Sequence, residues 1–410
     1  MQHVRVSSHQ SPVHKLGDSH ITLSPKFRLT AVQPNLLVGG PLIPGLPDDV
    51  ALNCLLRLPI DTHSACRAVC KRWHSLLGTR DRFFTRRRQL GFRAPWLYVF
   101  AFRREKATQC HVLDLTNRAW HTIPPAPCPS RSGFRSVGVG GGGGALLMLG
   151  GVGGLVEERD SPTDSVMKYE VCRNRWSVVS GMNTARSFFG SGVIGGMVYV
   201  AGGNSSGLLE LDSAEALDLR RRGGGGGAEG AEAAEGNWRR VASMGIHMAA
   251  YDAAVVNGKL FVTEGWLWPF MYSPRGRVFD PVSNSWEAMP VGMREGWTGS
   301  SVVVGGEHLF VVSELEKVKL KIYDPETDSW DVVLGAPIPE QMRKPFSLSS
   351  VGFRIFVVGS GLHVAVGYLR KLKLQCGTLK DWSCFVEWEV VTSPEAFCEL
   401  IPSSSQILYA

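Results

Sequence analysis

The sequence predicts two units of different class, a small all-α segment near the front and a large all-β domain of repeated sheets behind it. Three observations carry this. Between residues 42 and 83 apolar residues recur at three- and four-residue steps, the period of an amphipathic helix. From about residue 96 onward, short β-branched and aromatic runs alternate with Gly, Asn and Asp turns, as short strands do. Trp120, Trp176, Trp238, Trp286, Trp330 and Trp388 return at near-regular intervals, which marks stacked supersecondary units.

Bulk composition sets the bounds. The 410 residues are 44% hydrophobic and 20% charged, enough for one large globular unit and a small one. The formal charge of +7 is spread thinly except near Arg80–Arg88, and no aromatic interleaving accompanies that run, so it reads as a solvated helix and no nucleic-acid partner is expected. Nine cysteines (Cys54, Cys66, Cys70, Cys110, Cys128, Cys172, Cys376, Cys384, Cys398) show neither a CxxC pair nor zinc-finger spacing and read as buried thiols in a reducing compartment. Residues 1–40 lack an apolar stretch behind a basic start, and no run of about 18 apolar residues occurs. The expectation is a cytoplasmic and/or nuclear protein with no membrane partner, whose first 40 residues form a disordered tail.

In the front segment Pro47 stands at a helix start, followed by Asp48 and Asp49 where the helix dipole favours acids. Val50, Leu52, Leu55, Leu56 and Leu58 make one apolar stripe, and Pro59 stops the helix. Asp61 or Thr62 begins a second helical stretch carrying Ala65, Ala68, Val69 and Trp73, with Gly78 as its C-terminal cap. So short a unit buries too little surface to be very stable alone, so it needs something to pack on.

Leu46-Pro47-Asp48, Leu58-Pro59 and Ala68-Val69-Cys70-Lys71-Arg72-Trp73 together closely resemble the F-box motif, over 41–84, with 85–95 as linker. The resemblance implies docking on the Skp-type adaptor of a Skp–cullin–F-box ubiquitin ligase. By matching position it implies contacts through Leu46, Pro47, Leu55, Leu58, Pro59, Val69, Cys70 and Trp73. The plain alternative is a helical cap on the β-domain.

Six residues before four of the tryptophans stands an acid that follows a large apolar residue: Leu113-Asp114, Tyr169-Glu170, Phe279-Asp280 and Tyr323-Asp324. Asn117, Asn174, Asn284 and Asp328 fall between acid and tryptophan as turn residues, so each unit contains a hairpin. Upstream lies another strand, "GALLMLGG" (144–151), "GGMVYVAGG" (195–203), "NGKLFVTEG" (257–265), "GGEHLFVVSE" (305–314) or "GFRIFVVGSG" (352–361). Unit three fits once Asp218 is its acid and 14 residues are removed from its hairpin tip, where 220–236 form a Gly, Ala and charge-rich insert expected to be disordered.

Four strands per unit, a double glycine, then an aromatic and a tryptophan resemble the kelch repeat of β-propellers, over 96–410. Six blades of four strands are expected, with "SQILYA" (405–410) supplying the inner strand that the first blade lacks and so closing the ring. The whole chain is similar to the F-box/kelch family of plants. That implies a substrate-recognition subunit, with the propeller binding a protein target for ubiquitination and the F-box reaching cullin–RING through the adaptor.

In a propeller, the loops from each outer strand to the next blade share a face with the loops joining the two middle strands. On that face fall Arg131 and Arg135, Arg186, His247 and Tyr251, Arg294 and Trp297, and Arg343 and Lys344. Kelch resemblance carries target contact onto Arg131, Arg186 and Arg294. The middle loop "EGWLWPFMYSPRG" (264–276) adds Trp266 and Trp268, and aromatics beside arginine make good hot spots. The candidate target face is therefore Arg131, Arg186, Tyr251, Trp266, Trp268, Arg294 and Trp297. The histidines are scattered, and no P-loop, HExxH helix or nucleophile elbow is present, so no catalytic residue, metal or cofactor is expected. The remaining alternative is a kelch scaffold or signalling protein without ligase function.

Overall fold

The computed structural model describes residues 40–409 apart from 59–61, 79–82, 84, 85, 88, 93, 104–107, 129, 130, 141–143, 154–160, 220–236, 265–272, 315, 316 and 374–381. The expected disordered insert, and all of the expected tail but Gly40, lie outside the described residues.

Three short helices lead, α1 (Asp48–Arg57), α2 (His63–Val69) and α3 (Lys71–Gly78). α1 begins directly after Pro47 at φ −55°, and Leu58 leaves it with extended backbone, as the residue before a proline must. Leu55, Leu56, Leu77 and Phe83 form its core, with Leu52, Leu58, Cys66 and Trp73 packed against them. Arg87 corrects the solvated-helix expectation for the basic run. It is 6% exposed and donates from Nη1 to the Leu56 and Leu58 carbonyls at 2.5 and 2.6 Å, satisfying the C-terminal end of α1.

Behind this unit the strands form six sheets of four or five strands. Blade 1 contains β1 (Pro95–Phe102), β2 (Gln109–Asp114) and β3 (Ala119–Thr122). A short pair, β4 (Arg131–Ser132) and β7 (Val152–Gly153), flanks blade 2, whose strands are β5 (Arg135–Val139), β6 (Ala145–Leu149), β8 (Val166–Glu170) and β9 (Arg175–Val179). Blade 3 is β10 (Gly190–Ile194), β11 (Met197–Ala201), β12 (Ala214–Asp218) and β13 (Trp238–Val241). Blade 4 is β14 (Asp252–Val256), β15 (Lys259–Thr263), β16 (Gly276–Asp280) and β17 (Ser285–Ala288), followed by α4 (Val291–Gly296). Blade 5 is β18 (Gly299–Val304), β19 (His308–Ser313), β20 (Lys319–Asp324) and β21 (Ser329–Val332). Blade 6 is β23 (Ser347–Val351), β24 (Arg354–Val358), β25 (Val364–Lys373) and β26 (Trp382–Val391), with β22 (Leu334–Gly335) added in parallel on its outer edge.

The final strand, β27 (Ile401–Tyr409), pairs antiparallel with β1 from Pro95↔Tyr409 to Phe102↔Ile401 and becomes the inner strand of blade 1, as the sequence predicts. Successive inner strands touch in the order β27, β5, β10, β14, β18, β23 and back to β27, so the ring is closed.

Five of the six repeat hairpins hold the expected register; in blade 6 Trp388 stands opposite Gly367. Leu113, Tyr169, Leu217, Phe279 and Tyr323 face Trp120, Trp176, Trp238, Trp286 and Trp330. The Leu217–Trp238 pair shows that the 220–236 insert joins two strands of an ordinary blade. Asn174, Asn284 and Asp328 take the left-handed turn position at φ +47° to +50°, whereas in blade 1 Arg118, not Asn117, holds it at +55°. Asn117 instead donates to Asp114 through its backbone and side-chain amides.

The tryptophans also tie blade to blade. Trp176, Trp238, Trp286 and Trp388 donate their indole N–H to the carbonyls of Pro124, Ser180, Ala242 and Ala336 of the preceding blade at 2.7 to 3.0 Å, and Trp330 does so to Gly292 and Met293 at 3.1 and 3.2 Å. Trp120 makes no such bond among the described residues and meets Phe397 edge-on at 5.4 Å.

A chain ending at Leu400 lacks β27 and exposes the edge of β1. It is expected to lose its single cooperative melting transition or to aggregate, as read by calorimetry and light scattering. Unaltered melting would contradict ring closure by the tail.

Candidate functional site

The helical unit enters the propeller at Pro95, the start of β1, on the lower face where the inner–second and third–outer hairpins lie. There α3 approaches the turn Val171–Arg173 between β8 and β9. The upper face, with the loops into each inner strand, lies at the other end of the ring.

Where α1 and α3 begin, two segments are tied together. Arg72 Nη2 meets Asp48 Oδ2 at 2.6 Å, and Trp73 Nε1 donates to the Leu42 carbonyl at 2.8 Å. The Leu42 amide, then Arg72, hold the Asp48 carboxyl below its ordinary value. This sets the start of α1 beside the start of α3. Leu46, Pro47, Val69 and Cys70 are exposed there, Val69 at 63%, although all but the thiol are plain hydrophobes. Val50 and Cys54, three and seven residues beyond Pro47 and so on the same helix face, are exposed as well. The sequence stripe had turned Val50 inward. One expected contact needs correction: Leu55 is 1% exposed in the core, so it shapes the unit rather than lining its surface, while Leu58 and Trp73 are half-buried against that core. Pro59 lies outside the described residues.

On the upper face most expected contacts turn out to be internal. Gly150-Gly151 and Gly202-Gly203 end the second strands of blades 2 and 3 with positive φ throughout, and a Cβ on Gly150 or Gly202 would stand 2.5 Å from a backbone oxygen. Their carbonyls point at the arginines. Arg131 Nη1 donates to Gly150 O at 3.3 Å; Arg186 Nη1 donates to Gly202 O and Ser213 O at 2.8 and 3.1 Å, and its Nη2 pairs with Glu215 at 2.7 Å. Arg131 is 8% exposed and Arg186 and Glu215 are fully buried, so these two arginines clamp blades and are not free to touch a target. Burial pulls the Arg186 guanidinium down while Glu215 pushes it up.

Trp297 is likewise buried and donates from Nε1 to Asp252 Oδ2 at 3.1 Å. Arg294 sits half-buried on α4 with its Nε sealed from solvent. Trp266 and Trp268 lie outside the described residues. Of the expected face, Tyr251 alone is exposed among the described residues, at 37%, and burial of its hydroxyl environment pushes its pKa up to about 12.

The inner strands of all six blades surround a cavity of about 850 Å³. Its wall is hydroxyl-rich because serines tie one inner strand to the next: Ser136 to Ser404 at 2.6 Å, Ser349 to Ser405 at 2.8 Å, and Ser300 to the Phe346 carbonyl at 3.0 Å. Arg135 stands in this wall, with Nε donating to Phe189 O at 2.6 Å and Nη2 to Ala250 O and Tyr251 O at 2.9 and 2.7 Å. In the sequence Arg135 falls on the same face as Arg131 but outside the candidate target contacts. Phe188, which also lines the cavity, has no signal in the sequence, because its only marking, a φ of +50°, is a property of the folded backbone. No group of three or more metal-ligating side chains is assembled among the described residues.

The architecture is thus a helical unit on one face of a six-bladed propeller, with a cavity ringed by the inner strands. Comparison with known families agrees: residues 43–85 match the F-box domain profile and residues 185–245 the Kelch motif. The F-box/kelch-repeat protein At1g30090 of Arabidopsis thaliana is 50% identical over the full length of both chains. The F-box protein AFR of Arabidopsis thaliana is 36% identical over 90% of this chain and 93% of its own. The F-box/kelch-repeat protein At1g22040 of Arabidopsis thaliana is 30% identical over 72% and 71%. The chain belongs to the F-box/kelch-repeat family, and that membership supports the general role of an F-box substrate adaptor in ubiquitin ligases.

Arg186→Ala strands the Glu215 carboxylate in the core and is expected to cost about 3–5 kcal/mol of stability in denaturant unfolding. A loss below about 1 kcal/mol, the level of an exposed pair, would contradict the clamp.

Proposed function

We propose that this chain is the substrate-recognition subunit of a Skp–cullin–F-box ubiquitin ligase. Its helical unit docks the Skp-type adaptor, and through it cullin–RING, while the propeller holds a protein target for ubiquitination and degradation. The observation that carries this reading is the exposed apolar end formed by Leu46, Pro47, Val50, Val69 and Cys70, on a unit whose other large hydrophobes pack inward. Contiguous exposed apolar surface of this kind marks an interaction site. Placement of the unit on the lower face leaves the upper face open to a target at the same time. The chain acts here by binding, as F-box/kelch proteins typically do, and carries no chemistry of its own. Its place of action is the cytoplasm and/or nucleus, a reading supported by the free thiols of Cys54, Cys66, Cys70, Cys110, Cys128, Cys384 and Cys398.

Replacing Leu46 and Pro47 together by alanine is expected to abolish capture by purified Skp-type adaptor, and Val69→Glu to weaken it at least ~10-fold, because a charge is then buried at an apolar contact. Near-UV circular dichroism of the propeller tryptophans stays unchanged in both. Undiminished capture would overturn the docking assignment.

A further inference from the structure

We propose that the rim of the cavity between blades 2, 3 and 4 receives an extended segment of the target protein, seating one Asp or Glu carboxylate on Arg135 and an apolar neighbour of that residue on the Phe188 and Tyr251 rings. This rests on the adaptor reading above and names the chemistry that its target presents.

The first observation is the state of Arg135. Three backbone carbonyls from blades 3 and 4 fix its Nε and Nη2, and Nη1 has no hydrogen-bond partner among the described residues. The nearby acid, Asp252, does not supply one. Its Oδ2 accepts from the Ser301 amide at 2.8 Å and from Trp297 Nε1 at 3.1 Å, and its Oδ1 accepts from the Ala253 amide at 2.9 Å. Other upper-face acids already have cations: Glu264 and Glu210 meet Arg275 at 2.6 and 3.1 Å, and Glu314 lies 3.8 Å from Lys344. A pre-positioned guanidinium with an open N–H edge suits an incoming carboxylate, since a hydrogen bond between charged partners is worth more than a neutral one.

The second is the state of Phe188. An aromatic residue at φ +50° is strained by about 1–2 kcal/mol, and the fold imposes this from both sides. The Phe188 amide donates to Gly133 O at 2.8 Å and the Ala250 amide donates to Phe188 O at 2.7 Å. Gly133 leaves just enough room, as a Cβ there would stand 2.7 Å from the ring. The outcome is a large apolar side chain held 45% exposed on the cavity rim, in the same backbone network as Tyr251 and Arg135. Rigid aromatics beside an arginine bury much area at small entropic cost.

Asp252 lines the same cavity as Arg135 and acts on it electrostatically, so a dianion such as phosphate meets more repulsion there than a single carboxylate does.

The test uses the full chain, with and without purified Skp-type adaptor, and fluorescence anisotropy of acetylated, amidated nonapeptides that carry one central Asp or Glu flanked by Leu or Phe. Their Asn or Gln counterparts and a phosphoserine set serve as comparisons. The acidic peptides are expected to bind at least ~10-fold tighter than the amide ones, a preference that Arg135→Gln removes, while Phe188→Ala weakens both sets. If Arg135→Gln does not fold, the preference of the native chain and the Phe188→Ala loss decide. Equal or absent binding of acidic and amide peptides by a chain that still holds its adaptor would overturn the proposal, as would tighter binding of the phosphoserine set. Acid-selective binding without adaptor capture would uphold this site and sink the ligase reading instead.

Discussion

Everything in the propeller depends on one antiparallel pairing between its first and last strands. A ring of blades whose inner strands touch only their neighbours has no other way to seal its final joint, and β27 seals it by pairing with β1 along nearly its whole length while packing on β23 and β5. The hydroxyls of Ser404 and Ser405 then lock this strand to Ser136 on one side and to Ser347 and Ser349 on the other. Because the closing strand comes from the C-terminus, the inner position of blade 1 is filled by the far end of the chain, and β1 starts on the lower face with the helical unit directly attached.

That attachment puts the helices and the cavity rim on opposite faces of the ring. The lower face carries the helices, with α3 against the Val171–Arg173 turn of blade 2 and Arg87 finishing α1. The upper face carries the cavity rim. A rigid ring between them suits the proposed role, in which a target held above and a Skp-type adaptor bound below would keep a fixed relation. The indole bonds from Trp176, Trp238, Trp286, Trp330 and Trp388 to the preceding blade add to that rigidity, each worth about 1 kcal/mol net.

The architecture was legible in sequence because the tryptophan and its acid sit at a fixed register in a hairpin, and register tolerates little variation. Even the disguised third unit resolved, since an insert at a hairpin tip leaves the Leu217–Trp238 pairing intact. The contact residues were less legible. Arg131 and Arg186 do lie in the loops that lead to the upper face, but side-chain direction is set by the Gly150 and Gly202 carbonyls, which only the folded doublets aim at them. Trp297 turned inward to Asp252 for a similar reason, a buried acceptor that sequence order does not reveal. On the helices, three- and four-residue spacing identified an apolar set without saying which members faced inward, so Leu55 and Val50 exchanged roles. Phe188 had no sequence signal at all, its exposure being a consequence of a left-handed backbone imposed by blades 2 and 4.

In the proposed complex the adaptor is engaged by the helical unit alone while the propeller stays as it is. Amide hydrogen exchange of the full chain, with and without purified Skp-type adaptor, tests this most directly. Slowed exchange confined to 42–78 is expected, with the propeller strands and upper-face loops unaltered. Protection on the upper-face loops, or none anywhere, would contradict it.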